Sequence, residues 1–277
     1  MRAQDVPRLR LLTGAEIPQL GLGVFQVPPR ETAATVSHAL SVGYRSVDTA
    51  AAYGNEDGVG AALANSEVPR EEVFVTTKLW NDDQGYDGAL RSLEASLGRL
   101  GLDYVDLYLI HWPAPRRDRY VETWTAFERL HADGLARAIG VSNFQVEHLE
   151  RLLAETEVVP AVNQIELHPR FQQAELRAFG EQRQIVTEAW SPLAQGELLE
   201  DPLVRALASA HGRTAAQVIL RWHLQLGNVA IPKSATPRRI EENIDVLDFE
   251  LSDDEMRRID ALDSGGRIGP RPDSFGG

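Results

Sequence analysis

Two hydrophobic patterns alternate along this chain. Short runs rich in Val, Ile, Leu and Ala are separated by longer stretches in which apolar residues return every three or four positions. The short runs fit strands buried on both faces, and the longer stretches fit helices with one apolar side. Residues 45–48, 73–78, 104–111, 136–141, 161–166, 185–190 and 229–231 read as strands, with 19–23 a weaker eighth. Residues 30–41, 88–99, 119–132, 146–154, 173–182 and 214–226 read as helices between them. Ser252, followed by Asp253, Asp254 and Glu255, opens one more helix with a capping residue and early acidic side chains.

Strand–helix alternation at this spacing argues for parallel strands joined by crossover helices. Seven or eight repeats in 277 residues fit an α/β fold of the (β/α)8 TIM-barrel type better than an open sheet. Residues 8–12 and 15–18 flank Thr13-Gly14 and predict a short β-hairpin ahead of the barrel. Nothing resembling a linker divides the chain, so residues 1–277 are expected to form one domain. The final stretch, SGGRIGPRPDSFGG, is rich in Gly and Pro and predicts a loop-like tail.

Composition narrows the function. Hydrophobic residues make up 43% and charged residues 25%, ordinary for a soluble globular chain. No apolar run approaches the ~18 residues of a membrane helix, and the first 14 residues lack the apolar core of a signal peptide. The absence of cysteine excludes disulfides and thiolate metal sites. Together these point to the cytoplasm. A net charge of -13, from 28 basic and 41 acidic residues, disfavours nucleic acid and anionic membranes as partners. It leaves room for a local basic pocket. Neither G-x-G-x-x-G after a strand nor a P-loop is present, and the His-bearing helices lack metalloprotease spacing, so no metal is expected.

Barrel active sites lie at the C-terminal ends of the strands. Those positions hold Asp48 with Tyr53 just beyond it, Lys78, His111, Asn143, Gln164 with Glu166, and Trp190-Ser191-Pro192. Any one of them alone is an ordinary strand-end residue, a loop tyrosine or a salt-bridged lysine. Converging on one mouth, they have a use. An ammonium beside a phenol stabilises the phenolate, so Lys78 is expected to lower the pKa of Tyr53, with Asp48 holding Lys78 in place. His111 can donate to a carbonyl oxygen. Protonation of a developing alkoxide is what carbonyl reduction requires, and the hydride must come from a cofactor because no side chain carries one.

The stretches GYRSVDTAAAYGNE, TTKLWNDDQGYDGALRSLEASLGRLGLDYVDLYLIHWP, GVSNF, VPAVNQIELHP, EAWSPL and IPKSATPRRIEEN resemble the aldo-keto reductases, in that family's order and over nearly the whole chain. The bacterial 2,5-diketo-D-gluconate reductase-like branch is most similar. The resemblance implies NADPH-dependent reduction of aldehydes and ketones by a catalytic set of Asp48, Tyr53, Lys78 and His111. It implies that Ser142, Asn143 and Gln164 bond the nicotinamide carboxamide and that Trp190 stacks on the ring. Ser191, Pro192, Leu193 and Gln195 would follow the pyrophosphate. Lys233, Ser234, Thr236 and Arg239 would take the 2'-phosphate, and Glu242 with Asn243 the adenine. A lysine, arginines and hydroxyls ahead of a helix also make a physical phosphate site. Phe25, Trp80, His111 and Trp112 would line the substrate pocket, with the tail closing over its mouth. Relatives of this branch imply a monomer. Two other readings stand beside the reductase: a lyase with Lys78 as Schiff-base nucleophile, and a non-catalytic NADPH-sensing partner protein.

Overall fold

Side chains inside a barrel come from every second residue of each strand, and here that parity divides apolar from polar along the axis. The computed structural model describes residues 6–276. The sheet runs β3 (Leu22–Gly23), β4 (Ser46–Asp48), β5 (Phe74–Leu79), β6 (Val105–Ile110), β7 (Ala136–Ser142), β8 (Val162–Glu166), β9 (Val186–Trp190) and β10 (Val229–Ala230), each parallel to the next. Parallel bridges Leu20↔Ala230 and Gly23↔Lys233 join the two ends of the sheet. A Cβ on Gly23 would stand 2.9 Å from the carbonyl oxygen of Ile231, so the residue that joins the ends must be glycine.

Outward strand residues such as Val47, Val75, Tyr108, Ile139 and Ile165 pack into one apolar cluster with the surrounding helices. These are α1 (Pro29–Ser41), α2 (Glu56–Ala64), α3 (Tyr86–Leu100), α4 (Tyr120–Ala132), α5 (Val146–Glu155), α6 (Ala174–Glu181), α7 (Pro202–His211), α8 (Ala215–Gln225), α9 (Pro237–Ile244) and α10 (Asp253–Asp260). Ser252 caps α10 through a bond from the Glu255 N–H, with the Glu255 side chain returning to Ser252. Inward residues at the strand starts form a second cluster: Phe74, Leu107, Leu109, Ala138, Val162 and Val229. Leu11 and Ile17 join it from the hairpin of β1 (Arg8–Arg10) and β2 (Glu16–Pro18), so the hairpin plugs the N-terminal end of the barrel.

The barrel and hairpin follow the sequence pattern, with differences at element ends. The weak strand at 19–23 shortens to Leu22–Gly23. Three helices, α2, α7 and α9, fall outside the ranges read from the sequence. In α2, Gly58 and Gly60 interrupt the helical pattern, and close approach explains them: a Cβ on Gly60 would strike the carbonyl of Leu100. α7 opens on Asp201, whose side chain accepts from the Leu203 N–H at 3.0 Å, and carries Pro202 in its first turn. The tail beyond α10 forms neither helix nor strand among the described residues.

Candidate active site

Beyond the apolar layer, the same inward parity places Asp48 on β4, Lys78 on β5, Ser142 on β7, Gln164 and Glu166 on β8, and Glu188 and Trp190 on β9. Lys78 is fully buried. A buried ammonium persists only when paired and hydrogen-bonded. Its Nζ donates to Asp48 Oδ1 at 2.6 Å and to the Thr49 carbonyl at 2.9 Å, and it reaches Tyr53 Oη at 3.5 Å. Burial works to lower the Lys78 pKa, but the Asp48 charge, Tyr53 and the Asp48 hydrogen bond outweigh it, and the net direction is upward. Lys78 therefore stays charged.

Tyr53 ends a 3-10 turn, Ala51–Tyr53, that Gly54 terminates in the left-handed region. The sequence expectation of a lowered phenol needs correction. Lys78 does lower the Tyr53 pKa, but burial raises it more and Asp48 adds to the rise, so the net shift is upward. His111 follows β6 and meets Tyr53 edge-on, with ring centroids 5.7 Å apart. Burial and the Lys78 charge both hold the imidazole well below its usual pKa, so the ring is neutral. Its Nδ1 is buried without a partner, leaving Nε2 to meet a ligand.

Behind this group, the protein consumes much of the hydrogen-bonding capacity expected to face a cofactor. Ser142 Oγ donates to the Gln164 carbonyl at 2.8 Å. Asn143 is in the left-handed region at φ 65°. Its Nδ2 donates to the His111 carbonyl at 2.9 Å and to Ser142 Oγ at 3.1 Å, and its Oδ1 accepts from Trp190 Nε1 at 2.9 Å. That last bond fixes the indole plane. Gln164 Nε2 donates to Asp48 Oδ2 and to Glu188 Oε2, each at 2.8 Å. Glu188 was not among the expected site residues. Its signal was its parity with Trp190, two positions on in the same strand.

The cavity over these residues has a volume of about 1540 Å³. It extends from Phe25, Trp80 and Trp112 past Trp190 to Arg239 and Asn243. Ser191, Pro192, Leu193 and Gln195 line its middle, and Ser191, Ala194 and Gln195 hold left-handed backbone angles there. Lys233, Arg239, Glu242 and Asn243 line the far end, joined by Ala215 and Ala216 of α8, which the sequence did not single out. Ser234 and Thr236 do not line the cavity; Ser234 Oγ accepts from the Thr236 N–H at 3.2 Å. Among the described residues, Lys233 and Arg239 make no ion pair, whereas Glu242 is paired with Arg238 at 2.7 Å.

At the other end, Phe25 is 53% exposed and tilts over Tyr53 at 5.0 Å, while Trp80 stands edge-on to His111 at 5.2 Å. The tail adds Phe275, 4.4 Å from Trp112 between centroids. Glu166, fully buried, pins the tail: its carboxylate accepts the N–H of Ile268 at 2.6 Å and of Gly269 at 2.8 Å. Burial would raise the Glu166 carboxyl, but His168 and the two backbone donors hold it below the ordinary range. Gly269 has no room for a side chain, because a Cβ would collide with the Trp190 ring.

The comparisons with known proteins agree with this architecture. The model of the Aldo/keto reductase family matches residues 19–264. The chain is 54% identical over 271 residues to methylglyoxal reductase DkgA of Escherichia coli K12, covering 97% of this chain and 98% of that protein. It is 54% identical over 268 residues to glyoxal reductase of Bacillus subtilis, covering 96% of each. Among solved structures, the aldo/keto reductase of Brucella melitensis superposes with a TM-score of 0.91 at 53% identity, over 93% of this chain and 100% of that one. A variant of Gox0644 in complex with NADPH superposes with a TM-score of 0.94 at 50% identity, over 98% and 99%. With a matching barrel, a polar cluster at the strand ends and a family match over most of its length, the chain belongs to the aldo/keto reductase family.

Proposed function

We propose that this chain reduces small aldehydes and ketones with NADPH, and that Tyr53 donates the proton. The observation that carries the reading is the placement of Lys78: a fully buried ammonium 2.6 Å from Asp48 and 3.5 Å from the Tyr53 hydroxyl, beneath the cavity. NADPH, when bound, supplies the hydride for the carbonyl carbon. The residues present fit that cofactor. At one end Trp190 presents a partly exposed indole held by Asn143. At the other, Lys233 and Arg239 remain unpaired among the described residues, and Thr236 stands at the N-cap of α9 without using its hydroxyl as a cap. Unpaired cations and a helix N-terminus suit a phosphate such as the 2'-phosphate of NADPH.

An acid must hold its proton until it is needed, and the raised pKa of Tyr53 keeps the phenol protonated at neutral pH. Lys78 then stabilises the phenolate left after transfer, since its charge favours that form. Neutral His111 can donate one N–H to the substrate oxygen and orient it. Phe25, Trp80, Trp112 and Phe275 form an apolar mouth suited to small or planar carbonyls. A Schiff-base role for Lys78 is less well supported, because the amine is charged, buried and committed to Asp48. A purely NADPH-sensing role leaves the Asp48–Lys78–Tyr53 arrangement without a use.

The test is loss of NADPH absorbance with methylglyoxal, glyoxal, diketo sugar acids and aromatic aldehydes, run with the wild type and Tyr53→Phe. The relatives named for methylglyoxal and glyoxal make these the first substrates to try. Consumption by the wild type that Tyr53→Phe loses supports the reading. Tight NADPH binding with no turnover on any carbonyl would establish the sensing role instead.

A further inference from the structure

Glu188 lies beneath the floor of the cavity and has only 1% of its surface exposed. It is the third carboxyl-bearing group in the polar layer, after Asp48 and Glu166, and no step of the proposed reaction uses it. Its partner is Gln164, the residue opposite it in the β8–β9 register. Gln164 Nε2 donates one hydrogen to Glu188 Oε2 and the other to Asp48 Oδ2, both at 2.8 Å. Asp48 spends its other oxygen on Lys78. Glu188 Oε1 is buried and has no partner.

A primary amide has two N–H hydrogens and one carbonyl oxygen. Asp48 alone would dictate which end of the Gln164 amide turns inward, because a carbonyl aimed at a carboxylate is repelled. One bond leaves the amide free to rotate about it. The second bond, to Glu188, also fixes the plane. With both hydrogens committed below, the oxygen is the end of Gln164 left for the cavity that this residue lines. An oxygen held there accepts a donor and rejects another acceptor.

We propose that Glu188 is a positioning residue: with Asp48 it locks the Gln164 amide so that its Oε1 receives an N–H from the carboxamide of the bound cofactor. The inference rests on the NADPH reading of the cavity and adds to it a group that never touches the ligand. Glu188 reaches the cofactor through Gln164, and what it sets there is selectivity for a carboxamide that carries an N–H donor.

The experiment compares equilibrium binding of NADP+ and its 3-acetylpyridine analogue, in which a methyl ketone replaces the carboxamide and removes the N–H donor. Tryptophan fluorescence or calorimetry gives both dissociation constants without turnover. The wild type should bind the analogue roughly tenfold more weakly, the scale of one lost hydrogen bond at a buried acceptor. Glu188→Leu should weaken NADP+ while leaving the analogue nearly unchanged, so the ratio falls to about threefold or less. Glu188→Gln, which keeps an oxygen able to accept from Gln164, should restore most of the ratio. If E188L fails to fold, E188A removes the same acceptor without adding bulk and carries the same expectation. A merely structural role for Glu188 would weaken both ligands equally, and that result overturns the proposal. So does a wild-type ratio of one. If the wild type binds neither ligand, the cofactor reading itself fails, a result distinct from loss of selectivity alone.

Discussion

The two ends of the barrel interior are built from the same strands and the same inward parity, yet they solve opposite problems. The N-terminal end holds Phe74, Leu107, Ala138, Val162 and Val229, closed by Ile17 and Leu11 of the hairpin. The C-terminal end holds Asp48, Lys78, Gln164, Glu166 and Glu188, all buried and polar or charged. Apolar burial supplies stability without direction. Buried polar groups supply direction and cost stability unless every one is paired. Within β5 alone, Phe74 belongs to the first layer and Lys78, four residues later, to the second. The barrel thus keeps its stabilising layer and its chemical layer apart, which lets the second be polar and charged.

Lys78→Met should break this division most severely. It leaves Asp48 buried without its cation, so stability should fall by about 3 kcal/mol in urea denaturation, and turnover should collapse as well. Retained turnover would show that the ammonium is not needed. Phe74→Ala should cost about 3 kcal/mol or more of stability through the cavity it leaves. With the fold intact at low temperature, kcat should hold close to wild type; a large drop in kcat would mean that the two layers are coupled. Tyr53→Phe should do the reverse, reducing turnover by ~100-fold, or about 2.7 kcal/mol of barrier, while stability and NADPH binding hold. Near wild-type reduction of a good aldehyde by that variant would remove Tyr53 as the acid.

Arg239→Ala addresses the exposed far end of the cavity. NADPH affinity should fall roughly tenfold and NADH affinity should barely change, since only the former carries the 2'-phosphate; equal losses would place the phosphate elsewhere. A pH effect is expected at Glu188. Burial is the largest cause of its shift, and the Asp48 charge adds to it, pushing the carboxyl up to about 8. A carboxyl raised on folding binds its proton more tightly in the native state. Its stabilising effect is therefore complete below its ordinary range and is lost as pH rises toward 8. Urea denaturation of the ligand-free protein between pH 5 and 9 should show that decline, and Glu188→Gln should flatten it. An identical profile for the two proteins would mean that Glu188 does not titrate in this window.

Much of the candidate site was legible because barrel chemistry sits at strand ends. Asp48, Lys78 and Gln164 could be picked out from their place after a buried run, and the structure brings them within one hydrogen-bonded chain. Glu188 was hidden by its surroundings: in VTEAW an acidic residue reads as a solvent-facing position until the inward parity of Trp190 is applied to it. The tail gave no local pattern at all. Its course depends on Glu166, about 100 positions away in the chain, receiving the Ile268 and Gly269 N–H groups.

The amino-acid sequence by itself determined the alternation of strand and helix, the barrel that follows from it, and the residue types at each strand end, because periodicity and strand termini are local properties of the chain. Tertiary structure decided the protonation of those residues and the engagement of their hydrogen bonds. Tyr53 rises where its cationic neighbour alone would lower it, because burial outweighs the charge of Lys78. Asn143 and Ser142 are largely spent on the protein itself. Desolvation and hydrogen-bond satisfaction depend on everything that surrounds an atom in space, and most of those neighbours arrive from distant strands only when the barrel closes.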